Sequence, residues 1–276
     1  MISSARARLA GVMGFPVAHS LSPRLHNFWL DRYGIDGAYV PLPVAPEHFS
    51  SALRSLAQLG FAGVNVTVPH KEAAFAAADE TDDLAKRIGA INMLTFKDGR
   101  IFGRNTDAFG FRESLREAAP SWSAKGAKAV VLGAGGAARA VVAALIDEGA
   151  AVTVANRTRS RAEALTASIG GMAADWDNRA RLLAGADLLV NTTVLGMEGK
   201  DALDLDLGAL PKSALVADIV YVPLETKLLV EARRRGNTAV DGLGMLLHQA
   251  RPAFAAWFGR EPEVTAELRR HVLAGR

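Results

Sequence analysis

The stretch GVNVTVPHKEAA, Gly63 to Ala74, places polar groups at strand spacing. Val64, Val66 and Val68 alternate with Asn65 and Thr67, the two-residue period of a strand with unlike faces. Pro69 ends the pairing, and Lys71 opens an alanine-rich, helix-like run. Two readings are open: an ordinary wet face with a solvated lysine, or half of a polar pocket. Upstream, Ser20 and Ser22 flank Leu21, so both hydroxyls can share one side of an extended segment and donate to a carboxylate. Ser22 also suits the N-cap of the next helix, and the two roles are compatible because helix N-termini favour anions.

A second chemical signal is a glycine turn. Gly133, Gly135 and Ala138 match G-x-G-x-x-[G/A], and Gly136 adds another glycine. Gly133 permits a tight turn, Gly135 lets the backbone approach a pyrophosphate, and Ala138 allows close helix–strand packing. The segment Gly133, Ala134, Gly135, Gly136 and Ala137 is the candidate dinucleotide cradle, with the following helix offering free N–H groups. An NAD site places Asp or Glu roughly 20 residues on, at the end of the next strand. Here the chain reads Asn156, Arg157, Thr158, Arg159, Ser160, Arg161 instead. With no carboxylate and several guanidinium groups, Asn156, Arg157, Thr158 and Arg161 are candidates for a 2′-phosphate, so the expected cofactor is NADP(H).

These groups need elements to position them. The first hundred residues alternate strand-like and helix-like runs: LAGVMGFPV, then the helix SPRLHNFWLDRYG ending at Gly34, then GAYVPLPV, APEHFSSALRSLAQLG and FAGVNVTVP. KEAAFAAADE begins a third helix, and AINMLTFKDGRIFGRNTD reads as a hairpin turning at Asp98-Gly99. A second unit starts at the strand before Gly133, with later strands in ADLLVNTTV, SALVADIVY and NTAVDGLG. The order predicts an α/β fold of two lobes, the second Rossmann-like. Two tail helices are expected to return to the first lobe. The expected division is 1–107 with 246–276 for substrate and 108–245 for NADP.

Composition narrows the function. The 276 residues carry 32 Lys and Arg against 29 Asp and Glu, a net charge of +3 without a basic stripe, which argues against nucleic-acid binding. No cysteine is present, which excludes disulfides and thiolate sites, and His19 and His26 lack the i, i+4 spacing of a helical metal pair. No metal is expected. No signal peptide or membrane-length apolar run is visible, so the expected setting is the cytoplasm with no membrane partner.

The motifs GFPVAHSLSPRLHN, NVTVPHK, GAIN, GRNTD, GAGGAARA, NRT, VYVPLETKLL and GLGMLLHQA together resemble the shikimate dehydrogenase family over nearly the whole chain. The resemblance implies reversible NADPH-dependent reduction of 3-dehydroshikimate to shikimate in aromatic amino-acid biosynthesis, with the substrate between the lobes. It implies that Ser20, Ser22 and Tyr221 hold the carboxylate. Ring-hydroxyl contacts fall to Thr67, Asn92, Asp107 and Gln249, with Asn65 beside them. Lys71 and Asp107 become the catalytic pair, because a cationic lysine can stabilise a growing alkoxide and exchange that proton. Pairing with Asp107 favours the charged form and burial the neutral one, so the sequence leaves the proton's owner open. Thr193, Ile219, Gly242 and Met245 are implied around the nicotinamide. Three positions depart from the family pattern: Ala108 where glycine is common, Met93 beside Asn92, and Val194 in place of a serine. Alanine at 108 would be strained if the site required a positive φ. The rival readings are a quinate/shikimate dehydrogenase of broader specificity, methylenetetrahydrofolate dehydrogenase and a non-catalytic NADP-dependent regulator. A monomer and a homodimer are both compatible with the sequence.

Overall fold

The computed structural model describes residues 4–274 of the chain, which divides into two compact units, Met1–Thr106 with Gln249–Arg276 and Asp107–His248. The first unit runs β1 (Arg8–Gly14), α1 (Ser22–Tyr33), β2 (Gly37–Pro43), α2 (Phe49–Gln58), β3 (Gly63–Val66), α3 (Lys71–Ala77), β4 (Glu80–Thr81), α4 (Asp83–Ile88), β5 (Met93–Lys97) and β6 (Arg100–Arg104). Its sheet has the order β2-β1-β3-β5-β6-β4. β1 pairs in parallel with β2 and β3, and the β5–β6 hairpin adds antiparallel to β3. The hairpin turns as expected at Asp98 (φ 51°) and Gly99 (φ 73°), where both residues occupy the left-handed region that a two-residue turn demands.

The second unit runs α5 (Asp107–Ala118), β7 (Lys128–Leu132), α6 (Gly136–Asp147), β8 (Ala151–Asn156), α7 (Arg159–Ile169), β9 (Met172–Asp175), β10 (Leu188–Asn191), β11 (Leu215–Asp218), α8 (Lys227–Arg235), β12 (Thr238–Val240) and the start of α9 (Gly242–Phe258). Its six strands are all parallel in the order β12-β11-β10-β7-β8-β9. The direction of winding reverses between β7 and β10, the switch point outside whose carboxyl ends open sheets of this kind bind ligands. The central strands β7, β10 and β11 are buried on both faces over almost their whole length, as a parallel sheet covered by helices requires. Val130, Leu132, Leu189, Val216 and Leu229 share one core.

The remainder of α9 and the last helix, α10 (Ala266–Leu273), belong to the first unit. Trp257 of α9 lies 1% exposed, and its Nε1 donates to the Leu94 carbonyl of β5 at 3.1 Å. The indole occupies the space where a Cβ on Gly63 would stand, so β3 admits only glycine at that position. Trp29 of α1 donates to the Glu263 carbonyl at 3.0 Å, which ties the tail to the helix opposite.

Several local expectations are corrected. Ser22 is the first residue of α1, not its N-cap. Leu21 takes the cap position and makes no side-chain cap bond. The apolar alternation stops with β3 at Val66, and Val68 is 70% exposed. KEAAFAAADE does begin a helix, as expected: α3 ends at Ala77, a short edge strand follows, and Asp82 caps α4 by accepting from the Ala85 N–H at 2.7 Å. Ala108 lies within α5, and among the described residues the one non-glycine with positive φ is Asp98, so alanine there is unstrained.

Candidate active site

In the first unit, β3 is buried on both faces, so Asn65 stands on no wet surface. Val64 and Val66 enter the core with Met13, Phe49 and Leu53, while Asn65, 5% exposed, enters a chain of hydrogen bonds. The polarity of that chain follows from one backbone group. The Asn92 carbonyl can only accept, so Asn65 offers it Nδ2 at 3.0 Å. Asn65 Oδ1 then faces Tyr39 and must accept from its hydroxyl, at 2.7 Å. Tyr39 has thereby used its proton, so the Ser22 hydroxyl that bonds to it is the donor. Burial raises the Tyr39 phenol well above its ordinary pKa, which keeps it a neutral donor. Ser20 Oγ accepts from the Ser22 N–H at 3.3 Å and keeps its own proton available.

A second cluster joins Asn92, Thr106 and Gln249, which are 3%, 3% and 8% exposed. Asn92 Oδ1 accepts the Thr106 N–H at 2.7 Å, while its Nδ2 donates to Thr106 Oγ1 at 3.0 Å and to Gln249 Oε1 at 3.1 Å. Three segments far apart in the chain are therefore tied by neutral groups. Thr67 is half-buried directly after β3, and its N–H is held by the Met13 carbonyl at 2.9 Å. Lys71, also half-buried, opens α3, and its carbonyl accepts the Ile91 N–H at 3.0 Å. Asp107 follows Thr106 directly and opens α5, 6% exposed. Tyr39 and Thr106 are members that the sequence did not single out; the position of Thr106 beside Asp107 in GRNTD was the available signal.

In the second unit, Gly133 has φ 109°, and a Cβ on it would stand 2.6 Å from Thr192 Oγ1. Glycine is therefore required where β7 and β10 diverge. Gly135 differs: a Cβ there meets nothing within 4 Å, so its backbone faces open space at the start of α6. Gly135 is extended as the N-cap, and Gly136 and Ala137 form the first turn, whose N–H groups lack intrahelical partners. Ala138 is fully buried against the sheet. Beyond β8, Asn156 Nδ2 donates to the Thr158 carbonyl at 2.8 Å, shaping the loop. Arg159 is occupied by Glu163 at 2.8 Å and Asp175 at 2.6 Å. Arg157 and Arg161 are exposed and make no ion pair among the described residues. The cradle and this pair of guanidinium groups fit a phosphorylated dinucleotide.

The ends of β10 and β11 carry a knot of polar groups. Asp218, 1% exposed, accepts from Asn191 Nδ2 at 3.0 Å, the Val220 N–H at 3.0 Å and Thr226 Oγ1 at 2.8 Å. Burial pushes its carboxyl up to about 6, against the three donors. Asn191 Oδ1 accepts from both the N–H and the hydroxyl of Thr193, at 3.1 and 2.8 Å. Gly242 packs against the Ile219 and Val220 carbonyls so closely that a Cβ would collide, and Met245 is buried one turn further on. Ile219 and Tyr221 are half-buried on the loop after Asp218. Val194 is 49% exposed. The sequence showed Asp218 only as part of an apolar strand. Among the described residues, no group of three or more His, Asp or Glu could hold a metal, and no helix is long and apolar enough to cross a membrane.

Three family models match the chain: a shikimate dehydrogenase substrate binding domain over residues 12–94, a shikimate/quinate 5-dehydrogenase over 115–196, and a shikimate 5′-dehydrogenase C-terminal domain over 242–269. A relative from Paramagnetospirillum magneticum, called shikimate dehydrogenase (NADP(+)), is 59% identical over 275 residues, covering 98% of this chain and 100% of that one. The crystal structure of the shikimate 5-dehydrogenase of Thermus thermophilus in complex with NADP(H) and shikimate superposes with a TM-score of 0.88 at 40% identity, over 97% and 99% of the two chains. The quinate dehydrogenase of Corynebacterium glutamicum, in complex with NAD, has a TM-score of 0.90 at 32% identity, over 97% and 99%.

Proposed function

Because the chain belongs to the shikimate dehydrogenase family, we propose that it catalyses the reversible NADPH-dependent reduction of 3-dehydroshikimate to shikimate in the cytoplasm, a step in aromatic amino-acid biosynthesis. NADPH supplies the hydride, and the protein supplies position and electrostatics. The observation that carries the reading is the buried lattice of neutral amides and hydroxyls around Asn65, Asn92, Thr106 and Gln249, with Lys71 leading out of the same strand segment. Such a lattice meets ring hydroxyls with both donors and acceptors in fixed directions and presents no charge to them.

In this mechanism Thr67, Asn92 and Gln249, with Asn65 behind them, orient the ring. Ser20, Ser22 and Tyr221 hold the substrate carboxylate. Ser22 must turn its proton from Tyr39 to the carboxylate to do so, whereas Ser20 has its proton ready. Lys71 Nζ stabilises the charge that grows on the substrate oxygen and gives it a proton, and in the reverse direction it takes that proton back. Asp107 orients the ammonium and binds the neighbouring hydroxyl. Gly133, Ala134, Gly135, Gly136 and Ala137 cradle the pyrophosphate. Asn156, Arg157, Thr158 and Arg161 receive the 2′-phosphate, and Thr193, Ile219, Gly242 and Met245 seat the nicotinamide.

The test is the absorbance of NADPH with 3-dehydroshikimate added, run in parallel with NADH and, in the oxidative direction, with quinate. Oxidation of NADPH with a specificity constant above that for NADH, and preference for shikimate over quinate, is the expected result. Binding of both ligands without turnover would leave a non-catalytic regulator as the better reading. Turnover of quinate at a matching specificity constant would favour the broader dehydrogenase.

A further inference from the structure

We propose that Asp218 is a positioning residue for this reaction: one buried carboxylate fixes both loops that carry Thr193, Ile219 and Tyr221. The inference rests on the reading above, which places those three residues at the nicotinamide and the substrate carboxylate. Asp218 collects donors from three elements. Asn191 comes from the end of β10, Val220 from the loop after β11, and Thr226 from the N-cap of α8. No cation pairs with it among the described residues, so neutral donors alone satisfy its oxygens.

The knot then propagates. Asp218 and the Leu195 carbonyl both accept from Asn191 Nδ2, at 3.0 and 3.1 Å, which fixes the orientation of that amide. Its Oδ1 is thereby directed at Thr193, and Thr193 Oγ1 in turn accepts the Leu195 N–H at 3.1 Å. On the other side, Val220 is held by its N–H, and its carbonyl accepts from Gly242 at 3.3 Å. An ionised carboxylate offers about four acceptor sites in one small volume, which a neutral side chain of this size cannot match. An ion buried without a counter-charge destabilises a fold, so its contribution lies in what it orders.

Asp218→Asn keeps the shape and removes the charge. Its new Nδ2 would face Thr226 Oγ1, which already accepts from the Leu229 N–H at 3.4 Å, so the Thr226 proton loses its acceptor and the loop after β11 loosens. The experiment measures Tm, kcat, KM and the Kd of 2′,5′-ADP, a probe of the adenosine end alone. The expected result is a Tm equal to or above that of the parent, a 2′,5′-ADP affinity within twofold, and a kcat at least tenfold lower. A kcat within twofold of the parent, or an affinity for 2′,5′-ADP that falls as far as kcat does, overturns the proposal. If the variant does not fold, Thr226→Val and Thr226→Ser replace it. Loss of kcat by fivefold or more in the valine form, with the serine form within twofold of the parent, is expected. Equal kcat in both overturns the proposal. A parent protein that never oxidises NADPH with 3-dehydroshikimate overturns the functional reading itself, whereas an active parent with an equally active Asp218→Asn overturns this inference alone.

Discussion

His26 in the first unit and Asp218 in the second are both buried away from their ordinary titration, and the two are handled in opposite ways. His26 of the first unit is fully buried, and among the described residues neither ring nitrogen has a hydrogen-bond partner. Its ring stacks on Tyr39 at 4.0 Å and 1°, and meets Trp29 edge-on at 5.8 Å. Burial pulls its pKa down to about 3, so the imidazole is kept neutral and packs as a flat ring. Asp218 of the second unit meets the same desolvation by gathering three donors and is ionised at neutral pH. A side chain that only fills space can give up its charge. One that must hold several loops at once has reason to retain it.

The pH signs follow from the same contrast. Folded His26 takes its proton at about pH 3, the unfolded chain at about 6.5, so its contribution is complete above 6.5 and is lost as pH falls toward 3. Folded Asp218 releases its proton at about 6, the unfolded chain at 3.8, so the protonated form stabilises fully below 3.8 and that stabilisation is lost as pH rises through 6. Near pH 5 the two trends oppose one another.

The largest effect should come from the group proposed to react, not from either buried group that supports the fold. Lys71→Ala should lower kcat by roughly 10²–10⁴-fold, with substrate Kd changed only a few fold and Tm unaltered. Near-normal turnover in that variant would refute the catalytic assignment. Next, His26 should withdraw about 2.5 kcal/mol of stability between pH 7 and pH 4.5, partly offset by Asp218. His26→Phe, which keeps a ring against Tyr39, should show a shallower loss over that range in urea titrations. An unchanged slope would sink the account of His26 as a buried neutral base.

On the proposed reading the two units also hold their ligands differently, the first mostly by neutral groups beside Lys71 and the second by exposed cations. Replacing Arg157 and Arg161 together with alanine should raise the NADPH KM by about 10–100-fold, since hydrogen bonds to charged groups contribute about 1.5–3 kcal/mol. The KM for NADH should stay near its original value, and a parallel rise there would contradict a 2′-phosphate role. The smallest effect is expected in the neutral lattice: Thr106→Val removes hydrogen bonds worth about 0.5–1.5 kcal/mol each, so KM for the substrate should rise by about 2–10-fold with kcat less affected. A fall in kcat alone would place Thr106 in a different role.

Legibility in the sequence follows the range of the interaction. The glycine turn, the Asp98-Gly99 hairpin and the arginines after β8 are local signals, and each is visible within a few residues. The family motifs likewise singled out Asn92 and Gln249, which the fold joins by a hydrogen bond. Partnerships were not legible: Tyr39 meets Asn65 across 26 positions and Asn92 meets Gln249 across 157, distances at which only the folded sheet selects a partner. Asp218 was hidden because its neighbours are apolar and its donors come from other elements. Ser22 misled in the opposite way, since its type favours a cap while the chain places it one residue inside the helix. The short strands β4 and β9 escaped because an edge strand of two to four residues carries too little periodicity to read.

Trp257 closes over Gly63 and Leu94 from a helix that follows the whole second unit in the chain. On the ribosome, the sheet it packs on emerges before it and lacks this indole while roughly 140 further residues are added, about 7–30 s at ordinary elongation speeds. The second unit is contiguous in the chain and can fold as it emerges. The second unit can therefore close before the first is complete, and until Trp257 is made Gly63 and Leu94 lack the indole that covers them.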